Sequence, residues 1–190
     1  MRVLTGMYKG RVLRTVSDLS VRPATGRVRQ TIFDMLAHRS GFENLRVLDL
    51  FAGSGSLGIE CLSRGAAHVT FVEADAEAVR YLEQNIATLG CEEKTEVLPM
   101  DAMAYVRGRH EPFDLVFADP PYRFPDMASL PEAIFGSNLV RPGGYVLIEH
   151  TTDIRYAGAL MYALAAEKRF GRTVVTFLQI NRHEPGTAES

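Results

Sequence analysis

Arg46-Val-Leu-Asp-Leu50 running into Phe51-Ala-Gly-Ser-Gly-Ser-Leu-Gly58 decides the fold. The apolar run reads as a buried strand, and the glycine-rich stretch reads as a tight turn into a helix that stops at Gly65. Gly53, Gly55 and Gly58 fit G-x-G-x-x-G, and Glu73 closes the next apolar run, Val69-Thr-Phe-Val72. Two ligand classes use such a loop. A dinucleotide would place its pyrophosphate on the helix N-terminus. S-adenosylmethionine has no phosphate and carries an ammonium and a sulfonium instead. Asp49 favours the second, because a carboxylate at the mouth of the first strand repels a pyrophosphate. Glu73 suits either, since it can accept from both ribose hydroxyls. Asp101, after Glu96-Val-Leu-Pro-Met100, is placed to accept from an adenine amine. Taken singly, Asp49 and Asp101 also suit a helix cap or turn.

The chemistry is written further along, where Asp119-Pro120-Pro121-Tyr122 closes the run Phe113-Asp-Leu-Val-Phe-Ala118. A continuous apolar run suits a parallel strand buried on both faces, and two prolines stop it abruptly. Open α/β sheets bind ligands at such strand ends. The exocyclic amine of guanine, adenine or cytosine is a weak nucleophile because its lone pair is delocalised into the ring. The Asp119 carboxylate and the Pro120 carbonyl can both accept hydrogen bonds from one NH2 group, drawing that lone pair out of conjugation. Pro121 fixes the corner, and Tyr122 offers an aromatic face for a base taken out of its stack. The bland alternative is a simple turn. No Pro-Cys pair occurs, which excludes the usual nucleophile for methylation at a pyrimidine C5.

Composition bounds the rest. A chain of 190 residues with 46% hydrophobic content suits one compact domain, 1–190, with a two-sided sheet core. No stretch approaches the ~20 apolar residues of a membrane span, and the N-terminus lacks the regions of a secretory signal, so a cytoplasmic protein is expected. Cys61 and Cys91 have no C-x-x-C partner, and His38, His68, His110, His150 and His183 show no ligand spacing. Neither a metal nor a disulfide is expected. The formal charge of −2 hides an asymmetry. Through residue 39 there are eight basic residues against Asp18 and Asp34, giving +6, while the remaining 13 basic and 21 acidic residues give −8. Lys9, Arg11, Arg14, Arg22, Arg27 and Arg29 are therefore the expected RNA-binding residues, unless they form only a solvated basic face. Lys9, Arg11 and Arg14 lie away in sequence from the cofactor loop, whereas Arg22, Arg27 and Arg29 lie around the start of the following helix and can approach the active site.

The pattern along the chain is α/β and doubly wound. Arg2 to Thr5 and Arg11 to Val16, joined across Gly6 to Gly10, read as a β-hairpin. A helix begins near Gly26, with Thr25 as its N-cap and Val28, Ile32, Met35 and Leu36 as its buried stripe. Strands are expected near 46–50, 69–73, 95–98, 113–118 and 144–149, and the clearest helix over Ala76–Leu89, with Gly90 as its stop. Ala163–Phe170 and Thr173–Ile180, separated only by Gly171-Arg172, pair antiparallel because parallel strands need a long crossover. Glu184 to Ser190 read as a loose tail.

Together, VLDLFAGSGSLGIE, Glu73 and VFADPPY resemble the class I S-adenosylmethionine-dependent amino methyltransferases. RVLTGMYKGRVL and RPATGRVRQTIFDML are more specific. They resemble the small bacterial family that methylates N2 of guanine 966 in 16S ribosomal RNA, over about Arg2 to Arg182. Gly26 and Gln30 stand where that family commonly has Asp and Glu. The resemblance implies a Rossmann-like seven-stranded sheet of order 3-2-1-4-5-7-6 with strand 7 antiparallel. It implies S-adenosylmethionine as donor and S-adenosylhomocysteine as product, held by Thr25, Asp49, Phe51, Ala52, Gly53, Ser54, Gly55, Glu73, Ala74, Asp101 and Ala102. It places catalysis at Asp119, Pro120, Pro121 and Tyr122. It implies a monomer acting on 16S rRNA, free or within an assembling or assembled small subunit. The alternatives are a DNA adenine or cytosine amino methyltransferase, for which the chain has no room for a target-recognition domain, and a non-catalytic RNA-binding assembly factor.

Overall fold

The computed structural model describes residues 1–15 and 26–181. At its centre lies β1 (Arg46–Leu50), flanked by β2 (His68–Glu73) and β4 (Phe113–Ala118), and each of these three buries four consecutive residues. The other strands are β3 (Thr95–Pro99), β5 (Val140–Thr151), β6 (Tyr162–Phe170) and β7 (Thr173–Ile180). Together they form one sheet in the order β3-β2-β1-β4-β5-β7-β6. The first five are parallel, and β7 runs against both neighbours, as the short Gly171-Arg172 link requires. The order reverses between β1 and β4, which opens a crevice beyond their carboxyl ends.

Side-chain alternation splits the strands between two cores. Val47, Leu115, Phe117 and Leu147 face one side, with Ile32, Phe33 and Leu36 of α1 (Gly26–Arg39), Ile59 and Leu62 of α2 (Ser56–Ser63), and Leu82 and Ile86 of α3 (Ala76–Leu89). Leu48, Leu50, Val116 and Ile148 face the other, with Met103 and Tyr105 of α4 (Ala102–Val106) and Leu130 and Ile134 of α5 (Leu130–Gly136). The helix α3 has the expected bounds because its ends are chemically marked. The Asp75 carboxylate accepts from the Ala78 N–H at 2.8 Å, and Gly90 closes it at φ +65°.

Two elements differ from expectation. In α1, Met35 is only half-buried and Phe33 takes the core position, its ring 5.6 Å from Phe42 and 6.0 Å from Phe117. Strand β5 starts four residues early, at Val140. Its Pro142-Gly143-Gly144 resembles a turn but forms a bulge, where the register jumps from Phe113↔Val140 to Leu115↔Tyr145. Val16 at the end of the expected hairpin, the Thr25 N-cap and the Glu184–Ser190 tail lie outside the described residues.

The N-terminal segment pairs with itself, Val3 N–H to the Arg11 carbonyl at 3.0 Å and Leu13 N–H to Met1 at 2.9 Å, around one Arg2↔Val12 bridge. It is fastened to α2 by side chains. The buried Glu60 carboxylate accepts from the Leu4 N–H at 2.7 Å, the Thr5 N–H at 3.0 Å and the Arg64 guanidinium at 2.8 Å. Ser63 accepts from the Tyr8 N–H at 2.9 Å and donates to the Thr5 carbonyl. The expectation that Arg29 contacts RNA is corrected here. Arg29 is 1% exposed, and its guanidinium donates to the Arg2 carbonyl at 2.6 Å and to the Met1 sulfur, so it joins α1 to the N-terminal segment. Burial lowers its pKa.

Gly6, at φ +85°, lies so close to α2 that a Cβ would sit 1.7 Å from the Ser63 carbonyl oxygen. Gly10 has a similar φ of +81° but open space around it. Gly6→Ala should therefore lose about 2–4 kcal/mol in urea unfolding, from strain and overlap together, and Gly10→Ala only about 1 kcal/mol from strain. Equal losses would show that contact with α2 contributes nothing.

Candidate active site

The sheet order sets five acidic residues in a row along the carboxyl ends of its strands. Asp101 follows β3, Glu73 ends β2, Asp49 lies in β1, Asp119 follows β4 and Glu149 lies in β5. Neighbouring strands are ~4.8 Å apart, so the row from Asp101 to Asp119 spans roughly 14 Å. That is the length of an extended nucleoside joined to an amino acid.

The loop at the centre of this row is held by the glycines and by two carboxylates. Glu73 accepts from the Gly53 N–H at 2.7 Å through one oxygen and from the Asp75 N–H at 2.8 Å through the other. Each oxygen keeps a second lone pair for a ligand hydroxyl. Gly53, at φ +55°, faces open space, so backbone and not side chain lines the cleft there. A Cβ on Gly55 would meet Leu82 at 2.3 Å, and one on Gly58 would meet Phe71 at 2.3 Å. Those two glycines thus serve packing. Asp49 is 2% exposed and accepts from the Gly58 N–H at 2.9 Å. It therefore takes a helix N-terminal donor that a dinucleotide's pyrophosphate would need. Burial pushes the Asp49 carboxyl up to about 8, a rise tempered by the Gly58 bond and increased by Asp119 and Glu73.

Asp101 caps α4, accepting from the Ala104 N–H at 2.7 Å, with Ala102 buried behind it; its other oxygen has no partner among the described residues. Ala52 N–H donates to the Val72 carbonyl at 3.0 Å, and Ala74 is exposed on the cleft side of Glu73. Phe51 adopts φ +61°, and its ring meets Phe124 edge-on at 5.1 Å. Phe124 N–H in turn donates to the Pro121 carbonyl at 2.8 Å, so an aromatic pair ties the cofactor loop to the D-P-P-Y corner. Pro120 is buried, and Pro121 and Tyr122 are exposed, Tyr122 by 48%. Asp119 is exposed as a residue, while desolvation of its carboxyl raises its pKa. Burial also raises Glu149, and the neighbouring Asp119 raises it further.

Lys9, Arg11, Arg14 and Arg27 are exposed, whereas Thr25 and Arg22 lie outside the described residues. Although Lys9, Arg11 and Arg14 are distant in sequence from the glycine-rich loop, Asn85 links the backbone of this segment to it. Its amide is buried on α3, accepts from the Arg14 N–H at 2.8 Å and donates to the Arg14 and Ser54 carbonyls at 2.9 and 3.0 Å. One side chain thus joins the N-terminal segment to the glycine-rich loop. Arg11 and Arg14 also reach α3, at the Thr88 carbonyl (2.8 Å) and Gln84 (3.0 Å). Sequence reasoning missed Asn85, Phe124 and Glu149. Only Asn85 left a signal, a polar residue within the apolar face formed by Leu82, Ile86 and Leu89.

Among the described residues, no helix is long and apolar enough to cross a membrane, and no group of three acidic, histidine or cysteine residues could hold a metal ion. Residues 1–179 match the family model described as Conserved hypothetical protein 95. The chain is similar to Ribosomal RNA small subunit methyltransferase D of Haemophilus influenzae, 33% identical over 177 residues that cover 90% of this chain and 89% of that one. A hypothetical protein of Thermus thermophilus shares its fold with a TM-score of 0.80 and 30% identity, covering 95% of this chain and 99% of that chain. A Thermus thermophilus 16S rRNA N2 G1207 methyltransferase, solved with AdoMet and guanosine, shares the fold alone. Its TM-score is 0.66 at 21% identity, covering 88% of this chain and 45% of that chain.

Because the native Asp49 carboxyl holds its proton to about pH 8 and an unfolded one releases it near 4, the native state binds more protons between those values. Stability from this group is present at low pH and is lost as pH rises through that window. Asp49→Asn keeps an oxygen for Gly58 and cannot ionise. Its melting temperature relative to wild type should climb by several degrees from pH 5 to pH 8, and a flat difference would show that Asp49 does not resist ionisation.

Proposed function

The chain belongs to the family described as Conserved hypothetical protein 95, and on that premise we propose that it methylates N2 of one guanine in small-subunit ribosomal RNA. The methyl donor is S-adenosylmethionine, and the fold is that of the class I methyltransferases. The observation that carries this reading is the D-P-P-Y corner at the end of β4, one strand from the glycine-rich loop and bound to it through Phe51 and Phe124. The name of the Haemophilus influenzae relative supports ribosomal RNA as the substrate. Action on RNA of the small subunit, by a monomer in the cytoplasm with the basic N-terminal segment as part of a single domain 1–190, completes the proposal.

Each residue has a physical task. The second oxygen of Asp101 accepts from the adenine amine, and Glu73 accepts from the ribose hydroxyls. Thr25, Phe51, Ala52, Gly53, Ser54, Gly55, Ala74 and Ala102 shape the remaining surface, with Asp49 bracing the loop from below. The bound cofactor supplies an electrophilic methyl group on a sulfonium. Asp119 and the Pro120 carbonyl take the two amine hydrogens and turn the nitrogen lone pair toward that methyl, so positioning does most of the catalysis. On methylation the target amine would become acidic and release a proton. Burial makes Asp119 a better proton acceptor than an ordinary carboxylate. Tyr122, exposed beside Asp119, stacks on the extruded base.

Labelled cofactor offered with naked small-subunit rRNA, small subunits and DNA, followed by mapping of the labelled nucleotide, tests the reading. Label in DNA alone, or in no nucleic acid, overturns it. Asp119→Ala should cut single-turnover transfer by about 100-fold or more with cofactor affinity nearly unchanged. Tyr122→Ala should weaken the substrate complex by about 1–3 kcal/mol while Tyr122→Phe keeps most of it. A large loss in the phenylalanine variant would assign the task to the hydroxyl.

Neutralising Lys9, Arg11 and Arg14 together should weaken RNA binding and reduce its salt dependence by up to about three phosphate contacts. Cofactor binding, measured by calorimetry, should persist. An unchanged salt slope would leave these cations as fasteners to α3 only.

A further inference from the structure

Strands β4 and β5 are in register at Ala118↔Ile148, so Asp119 and Glu149 are the next residues of two neighbouring parallel strands. Phe117 and Leu147, two positions earlier, share one core face. The alternation of the strands therefore projects Asp119 and Glu149 to the same side, at the mouth of the crevice. On its other flank Glu149 pairs with Val175 of β7, which is apolar, so Asp119 is its one charged neighbour across either strand. The rise that Asp119 imposes on the Glu149 carboxyl agrees with this closeness.

We infer that Glu149 selects guanine by accepting the ring N1–H that lies beside the target amine. The inference rests on the reading of the site proposed above and extends it to the identity of the base. Guanine presents two adjacent donors, the amine and N1–H. Adenine and cytosine present an amine beside a bare ring nitrogen, which is an acceptor. With Asp119 holding the amine, a second acceptor one strand away complements guanine and sets lone pair against lone pair with the other two bases. Strands are ~4.8 Å apart, and the extra methylene of glutamate lets its carboxylate converge on the hydrogen next to the one Asp119 takes. A desolvated polar group left unpaired by the wrong base discriminates far more strongly than a lost apolar contact. Without a base, burial and the neighbouring Asp119 push Glu149 up to about 8, and the paired donors of guanine draw it to the ionised form that can accept from N1–H. Had the pair kept a proton on Glu149, the site would present a donor and prefer a base with a bare ring nitrogen.

The probe is 2-aminopurine, which keeps the amine of guanine but has an unprotonated N1. Small-subunit rRNA carrying guanine or 2-aminopurine at the mapped position is assembled into particles if the mapping shows that they are needed, and single-turnover transfer is measured. Wild type should methylate guanine about tenfold or more faster. Glu149→Gln, whose amide can donate to a bare N1, should lose about tenfold on guanine and narrow the preference by at least about fivefold. Comparing the two RNAs across the two proteins isolates the Glu149 contact, because the missing O6 of 2-aminopurine affects both equally. Cofactor binding by the variant, measured by calorimetry, reports that its fold is intact. Equal wild-type rates on the two RNAs, faster transfer to 2-aminopurine, or a Glu149→Gln loss that is the same for both would each overturn the inference. The wild-type comparison stands even if the variant fails to fold. Absence of wild-type transfer to guanine, by contrast, would overturn the reading of the reaction itself.

Discussion

The close approach of α2 to the sheet is the constraint on which the site depends. Gly58 lies where any side chain would strike Phe71 and Val69, and the Asp49 carboxylate reaches up from β1 to take the Gly58 N–H. These two residues fix the height and tilt of α2 above β1 and β2. From that follow the path of the preceding loop, the outward face of Gly53 and the hydrogen bond from Gly53 to Glu73. Van der Waals contact sets the distance, and one buried hydrogen bond sets the direction.

The carboxyl edge of the sheet carries acidic residues from β3 to β5, while exposed cations are grouped on the N-terminal segment. This division suits a reaction in which a polyanion must deliver one base and keep its phosphates elsewhere. Carboxylates such as Glu73 and Asp101 at this edge would repel a phosphate backbone, and a neutral base extruded from the strand would be admitted. In the proposed reaction the basic segment captures RNA and the acidic edge handles the base, and Asn85 joins the two parts of the chain.

The fold was legible wherever the determinants are local. Strands β1, β4 and β7 and helix α3 have the bounds their sequences announce, because burial on both faces, two prolines, a carboxylate cap and a stop glycine all act within a few residues. Strand β5 was shortened because Pro142-Gly143-Gly144 signals a turn locally, and only pairing with β4 makes it a bulge. Charge was a poor guide to position for Arg29, whose long side chain serves the interior because the Arg2 carbonyl and the Met1 sulfur converge on it. Glu149 carries no motif. Its meaning arises from register with Asp119, which the separation of the two residues along the chain conceals.

Glu60 and Ser63 satisfy backbone groups of residues 4 to 8, and Asn85 satisfies those of Arg14. The basic segment is therefore not an appendage that can be transplanted. Its hydrogen-bond partners belong to the helices that also carry the cofactor loop, so chimeras that exchange this segment between relatives must carry positions 60, 63 and 85 with it or leave buried donors and acceptors orphaned. The N-terminal segment and the helices beneath it are therefore one structural unit, and only its outward-facing cations can be exchanged without disturbing the seam.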